Sequence, residues 1–274
     1  LSGEWNTTDG AIPIAPEARG PVDTLAGVES SIVSATFGAA ITRAWRATLR
    51  AHHYDEDRTN GTPLQDNDTN QRQFSVDVTG ASTWGDLRVR AFHAGQGYDQ
   101  AFSAVNATRT VETLSSRQRV GSTMTGGAVE YTRAVGGVVV LAGGDVRQVE
   151  GDLIERRPTG APTVADGTQT LTGGFVQAPW GETSRLAVVA GARAHRADTV
   201  HAPGGQRDTN FLSPKASVAW TGPGALTLRA SGYRAFRAPT LNERLRSFRA
   251  GNTLTQNNPA LDAERVSGGD VSVA

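Results

Sequence analysis

The densest run of potential chemistry lies between residues 234 and 249, where Arg234, Arg237, Arg244, Arg246 and Arg249 stand against one carboxylate, Glu243. Guanidinium forks bind carboxylate and phosphate through paired hydrogen bonds. A cationic rim of this kind could draw in anionic ligands, or could bind lipid phosphates and partner carboxylates within a protein wall. The wall reading is favoured, because bidentate arginine pairing also builds ordinary structural networks. A second cluster, Asp55, Glu56, Asp57, Asp66 and Asp68 against Arg58, supplies the carboxylate oxygens a hard cation takes. Its spacing is not that of a known calcium loop, so a solvated acidic loop is expected. His52 and His53 are adjacent, which on a strand sends them to opposite faces. His195 and His201 flank a loop start but lack a third ligand. No nucleophile elbow, phosphate loop or His-Glu-x-x-His pattern is present. The expectation is therefore no enzyme, no catalytic residue, no metal site and no cofactor.

The elements that would position these residues are read from composition and period. The 274 residues carry 27 basic and 27 acidic groups, so no bulk field favours nucleic acid, and none is expected as a partner. Every basic residue except Lys215 is arginine, and there is no cysteine, which excludes a disulfide framework and thiol chemistry. The longest apolar run, "VVVLA" at 138–142, is far short of the roughly 20 residues a membrane helix needs. Leu1 opens directly on "LSGEW" without the regions of a signal peptide, so a mature chain or one cut from something longer is expected.

Alternation with a period of two dominates. Trp45, Ala47, Leu49 and Ala51 oppose Arg46, Thr48, Arg50 and His52; Leu87, Val89 and Ala91 oppose Arg88 and Arg90. Leu186, Val188, Ala190 and Ala192 oppose Arg185, Gly191 and Arg193, and Leu226, Leu228 and Ala230 oppose Thr227, Arg229 and Ser231. Long polar segments near 6–28, 56–68, 96–116, 151–167, 200–209 and 238–262 take turns with short ones near 38–42, 80–85, 134–137, 180–183 and 221–225. About twelve antiparallel strands follow, with all long loops at one end. A soluble sandwich would bury the aliphatic face against a second sheet, whereas a transmembrane barrel turns it to lipid and fills its lumen with polar groups. The arginine-rich opposite face favours the barrel, and Trp45, Trp84, Trp180 and Trp220 near the short turns match an aromatic girdle. In this geometry Arg234 reaches the outer interface on the parity of Leu228, unless a bulge at Gly232 re-aims it inward.

The stretch "LTLRASGYRAFRAPTLNERLRSFRAGNTLTQNNPALDAERVSGG" (226–269) resembles the TonB-dependent outer-membrane receptors. The motif elements are Tyr233, Arg234, Phe236, Arg237, Pro239, Asn242 and Glu243, then Asn258 and Pro259, then Glu264 opening the next strand. The similarity extends more loosely to 8–24, 55–69 and 185–195. It implies an all-β, antiparallel up-and-down transmembrane barrel, with residues 1–274 as one incomplete segment of a barrel of the 22-stranded type. It also implies a plug domain not found in these residues, and the TonB energy-coupling complex as partner. Outer-membrane lipid and lipopolysaccharide would surround the barrel, in the bacterial outer membrane. The implied role is energised uptake of a scarce solute, such as a ferric siderophore or cobalamin, bound at a loop rim where Arg237, Asn242, Glu243, Arg246 and Arg249 are the candidates. The alternative is a passive pore or adhesin-like barrel without TonB coupling.

Overall fold

The computed structural model describes residues 1–181, 185–202, 205–250 and 253–274, with the side chains of Ala225, Arg249, Ala250 and Thr253 outside the description. Among the described residues, β1 (Ser2–Ala11), β2 (Ala26–Ala40), β3 (Trp45–Thr59), β4 (Asp66–Ser82), β5 (Gly85–Val105) and β6 (Glu112–Val135) lead into β7 (Val138–Arg156), β8 (Thr163–Trp180), β9 (Leu186–His201), β10 (Gly205–Thr221) and β11 (Thr227–Arg237). A short helix, α1 (Leu241–Leu245), and a small hairpin, β12 (Phe248–Ala250) and β13 (Thr253–Thr255), precede β14 (Glu264–Val273). β1 to β11 and β14 form one twelve-stranded antiparallel sheet in chain order, with β14 beside β11. The sheet is open, with β1 and β14 at its edges.

The short connections lie where alternation places them, at one end of the sheet. Two of them have only two residues, 83–84 and Gly136-Gly137, the latter both at positive φ (56° and 82°), the backbone a two-residue hairpin needs if its twist is to match that of its strands. The long connections are shorter than the polarity of the sequence suggests. β5 runs 21 residues to Val105 and β6 runs 24 residues from Glu112, so only 106–111 is left as loop. Likewise Asp55 and Asp57 belong to β3, and Asp66 and Asp68 to β4. Asp57 stands directly opposite Asp68, which in turn faces Asp99, so the expected acidic loop is a rung of carboxylates on a ladder. Past the apolar band both faces of a strand are polar, and alternation stops marking a strand that still pairs.

The register sorts the side chains onto two faces. Phe37 faces Leu49, which faces Val76; Val89 faces Val129; Val188 faces Val218; and Leu228 faces Val273. These share the apolar parity, and most are open: Phe37 is 66% exposed and Leu212 61%. An apolar face this continuous that covers no second sheet is what lipid would cover. Trp45, Trp180 and Trp220 share that parity close to the short turns, and Trp84 lies in one. The opposite face carries Arg46, Arg50, Arg88, Arg90, Arg193 and Arg229. His52 and His53 part as expected, His52 bonding Ser34 at 2.8 Å and His53 pairing with Asp55 on the other side. Among the described residues no helix is long and apolar enough to cross a membrane; in this architecture strands do so.

Candidate functional site

After β11 the described residues of 238–250 and 253–263 fold back onto the polar face before β14 begins. Pro239, without an N–H, ends the ladder and is fully buried, and its carbonyl accepts from Gln169 Nε2 at 2.8 Å. Gln169 also donates to Thr199 Oγ1 at 3.1 Å, so a buried amide on β8 ties the loop to β9. Thr240 then caps α1. Its hydroxyl accepts from Glu243 N at 3.2 Å while the Glu243 carboxylate accepts from Thr240 N at 2.8 Å, a reciprocal capping box. A five-residue helix has little stability of its own, so its seat decides whether it forms.

That seat is built from glycines. A Cβ at Gly167 of β8 would lie 2.9 Å from Leu245 Cδ1 and 3.2 Å from Leu241 Cδ2, and one at Gly151 of β7 would lie 3.4 Å from Leu241 Cδ1. The missing side chains let Leu241 and Leu245 approach the wall backbone, leaving a cavity of about 190 Å³ beside Val120, Val149 and Leu153. Beyond the helix, Arg246 donates to Gln118 Oε1 and Gln100 Oε1, both at 2.9 Å, with its guanidinium 5.5 Å from the rings of Tyr98 and Phe248. Gln118, almost wholly buried, returns a hydrogen bond to Ser247 O at 2.8 Å and another to Glu155.

The motif residues mostly bind one another. Arg237 donates Nη1 and Nη2 to the two oxygens of Glu243, each at 2.9 Å, and Nε to Glu264 at 3.0 Å, with a further contact from Nη2. One guanidinium thus joins the end of β11, the helix and the start of β14. Hydrogen bonds from Arg237 and the Thr240 amide hold the Glu243 carboxyl at about 2, and those from Arg237 lower Glu264 as well. The same pairing raises Arg237. Asn258 N donates to Glu243 O at 3.0 Å, and its side chain accepts from Ala260 N at 3.0 Å, so Asn258-Pro259 turns the chain towards β14. Phe236 stacks on Phe211 at 4.6 Å between centroids and meets the His195 ring edge at 4.7 Å.

Of the remaining motif residues, Tyr233 lies over Gly268, where a Cβ would meet its hydroxyl at 2.7 Å. Arg234 faces Ser267, and β11 pairs with β14 without a register shift from Leu228 to Arg237, so Gly232 makes no bulge. Asn242 is exposed at the start of the helix. The Arg249 side chain lies outside the described residues. Arg237 and Glu243 pair with one another, and Arg246 bonds separately to Gln118 and Gln100, so the hydrogen bonds of all three go to protein groups. Sequence reasoning missed Gln100, Gln118, Gln169, Gly151 and Gly167. The Thr240-x-x-Glu243 capping box was the one readable signal of the helix.

A second set of loops is tied together at the same end. Arg109, at φ 52°, donates Nε to Asp23 at 2.7 Å, and the Gly20 amide donates to Asp23 at 2.7 Å. Arg109 above all, with the Gly20 amide, brings the Asp23 carboxyl down to about 2. Glu112 gathers Thr62 at 2.5 Å, Leu64 N at 3.0 Å and Ser103 at 2.5 Å.

An up-and-down antiparallel sheet with an outward apolar band, short turns at one end and loops tied onto its polar face at the other defines an outer-membrane type β-barrel wall. Residues 22–273 match the family described as TonB dependent receptor-like, beta-barrel, and the chain belongs to it. Among solved structures it is similar to "Copper transporter OprC" (TM-score 0.78, 13% identity, 99% of this chain and 46% of that one). It is also similar to the hemophore receptor HasR of Serratia marcescens, solved with its hemophore HasA and heme (0.68, 16%, 91% and 42%). The siderophore receptor PirA from Acinetobacter baumannii is a third (0.68, 13%, 99% and 44%). At such identities the likeness is one of fold, and the chain spans less than half the length of these structures. No curated protein sequence matches it.

Proposed function

We propose that this chain is wall and rim of an outer-membrane receptor that imports a scarce solute using energy delivered through TonB. The observation that carries the reading is the match of residues 22–273 to the receptor-barrel family. The apolar face would meet outer-membrane lipid and lipopolysaccharide, and the polar face would enclose a plug domain through which the TonB complex acts. The role is transport, not catalysis. Among the rim candidates, Asn242 and Arg237 are exposed, while Arg237, Glu243 and Arg246 contribute by fixing the loop. The cargo class follows the relatives by analogy: copper, heme and siderophores figure in the names of the similar structures, and a ferric siderophore, cobalamin or a similar chelate fits that range.

The test is uptake by cells of the source bacterium with and without the gene. Radiolabelled ferric chelates, heme, cobalamin and copper would each be offered before and after a protonophore. The reading predicts saturable uptake of one of them that needs both the gene and the proton gradient. Gene-dependent uptake that survives the protonophore and a TonB deletion would replace it with a passive pore.

A further inference from the structure

On the apolar parity, β2 to β5 form a groove. Ala35 faces Ala51, which faces Phe74, which faces His93. One row nearer the turns, Phe37, Leu49, Val76 and Ala91 follow one another across the same strands. The small side chains of Ala35, Ala51 and Ala91 set a low floor between the rings of Phe37 and Phe74, both exposed. With His93 these residues line a recess of about 590 Å³. None of the four strands is at an edge of the sheet, and the groove opens away from the face against which a plug domain would lie.

The outer lip of this groove is cationic. Arg72 stands on β4 two residues beyond Phe74, on the same face; it is exposed and makes no hydrogen bond or ion pair among the described residues. It faces His53 on one side and Gly95 on the other. A Cβ at Gly95 or Gly97 would meet nothing within 4 Å, so the guanidinium borders open space floored by backbone. His93 and Thr125, hydrogen-bonded to each other at 2.7 Å, bound that space on the groove side. The carboxylates near it are engaged: Asp55 is held by His53 and by Asn70 Nδ2 at 2.7 Å, and Glu150, three strands along the row of Arg72, accepts from Gln148 at 2.7 Å. Arg72 is thus a cation without a counter-charge from its own chain, and its level decides what supplies one. Ten residues separate it from the turn end of β4 at Ser82, about 25 Å at ~3.3 Å rise and ~40° tilt, the full height of an apolar band of about 25 Å. It lies where lipid head groups begin, on the side of the long connections.

We propose that the groove and its arginine lip seat one molecule of lipopolysaccharide from the outer leaflet, a glycolipid that carries phosphate on sugar. An acyl chain lies over Ala35, Ala51 and Ala91 between the two rings. The phosphate takes the Arg72 guanidinium through paired hydrogen bonds, and the sugar bearing it occupies the space above Gly95 and Gly97, beside His93. The wide floor without side chains next to Arg72 suits a bulky sugar head better than the slender glycerol head of a phospholipid. The inference rests on the outer-membrane reading and deepens it, giving a general lipid contact one particular site.

The experiment is native mass spectrometry of the full-length protein in neutral detergent, titrated with lipid A, with lipid A stripped of its phosphates, and with phosphatidylglycerol. Arg72→Gln breaks no contact within the protein and Ala51→Phe adds bulk only on the exposed face, so both should fold, which heat-modifiability on gels would check. Arg43→Gln, in the turn between β2 and β3, removes an equal charge at the opposite end and is the control. The expected result is one lipid A bound, with an affinity about tenfold lower in Arg72→Gln, severalfold lower in Ala51→Phe and unchanged in Arg43→Gln. The stripped lipid should bind more weakly and equally to wild type and Arg72→Gln. Equal binding of lipid A by wild type and both site variants, or equal binding of the two forms of lipid A by the wild type, would overturn the site. Phosphatidylglycerol bound as tightly as lipid A would overturn lipopolysaccharide as its occupant. The comparison of lipids on the wild type needs no variant, so it decides the matter even where a substitution blocks folding. Failure of the site leaves the barrel wall and energised uptake standing, since neither needs a bound lipid, and a loss of energised uptake leaves the site standing.

Discussion

Arginine does opposite work at the two ends of this wall. At the loop end one guanidinium, Arg237, is shared by two carboxylates, Glu243 and Glu264, while at the turn end one carboxylate, Asp77, is shared by three guanidiniums. The first arrangement has spare negative partners, so it closes on itself and pins a loop. The second has more positive groups than negative ones, so it carries a local excess of positive charge. Net charge over the whole chain is zero and conceals this separation. Position along the barrel, not residue type, distinguishes the two arrangements.

The largest effect should come from removing the shared partner. Asp77→Asn leaves three guanidiniums with no carboxylate among them, and should cost about 2–3 kcal/mol once solvent screening of the exposed arginines is allowed for. Glu264→Gln leaves Arg237 still bidentate on Glu243, and should lower stability only slightly. Urea unfolding of both variants in lipid vesicles would measure the difference. Equal costs would erase the contrast between the two ends.

A smaller effect tests the glycine seat. Gly167→Val puts side-chain atoms where Leu245 and Leu241 now lie, and overpacking of this kind costs about 1–3 kcal/mol. The loss should be local, releasing α1 and speeding protease cleavage within 238–262 while leaving the turn-end cluster as it is. The same substitution at Gly95, where a Cβ meets nothing within 4 Å, should leave cleavage unchanged.

The smallest effect is an acid one. Glu243 and Asp23 both sit at about 2 in the folded protein, below ordinary values of 4.5 and 3.8. A lowered acid contributes stability that is complete above its unfolded value and is lost as pH falls through its folded one. Hydrogen-exchange protection of α1 and of 20–23 should therefore hold down to about pH 4.5 and decline from there towards pH 2. Protection that instead fell between pH 7 and 5 would assign the ties to other groups.

How much of this could be read beforehand follows from where the physics is local. Alternation in 44–52 and 86–91 marked strands and faces because an apolar face on one side and a polar one on the other give a period of two. Val105 and Glu112 could not be recognised as strand ends, because outside the apolar band water wets both faces and the period vanishes while pairing continues. The resemblance drew attention to Arg237 and Glu243, yet their partnership was hidden, since it depends on a helix cap that brings residues six apart into contact. Asp77, between Val76 and Val78, was overlooked as one acid in an apolar run; only the register brings it beside Arg50 and Arg90. The glycines beneath α1 carried no signal, because their partners arrive from about seventy to ninety residues away along the chain.

The central claim is that the two parities face different media, and site-directed spin labelling in lipid bilayers tests it most directly. Labels at Leu49, Val89, Val188 and Leu228 would be compared with labels at Arg46, Arg90, Arg193 and Arg229, using oxygen as the lipid-soluble relaxant and a nickel chelate as the water-soluble one. The first set should respond to oxygen and resist nickel, and the second should respond to nickel or be shielded from both. Labels at Leu228 protected from oxygen, with Arg229 labels exposed to it, would contradict the barrel wall and the assignment of both arginine regions to its interior.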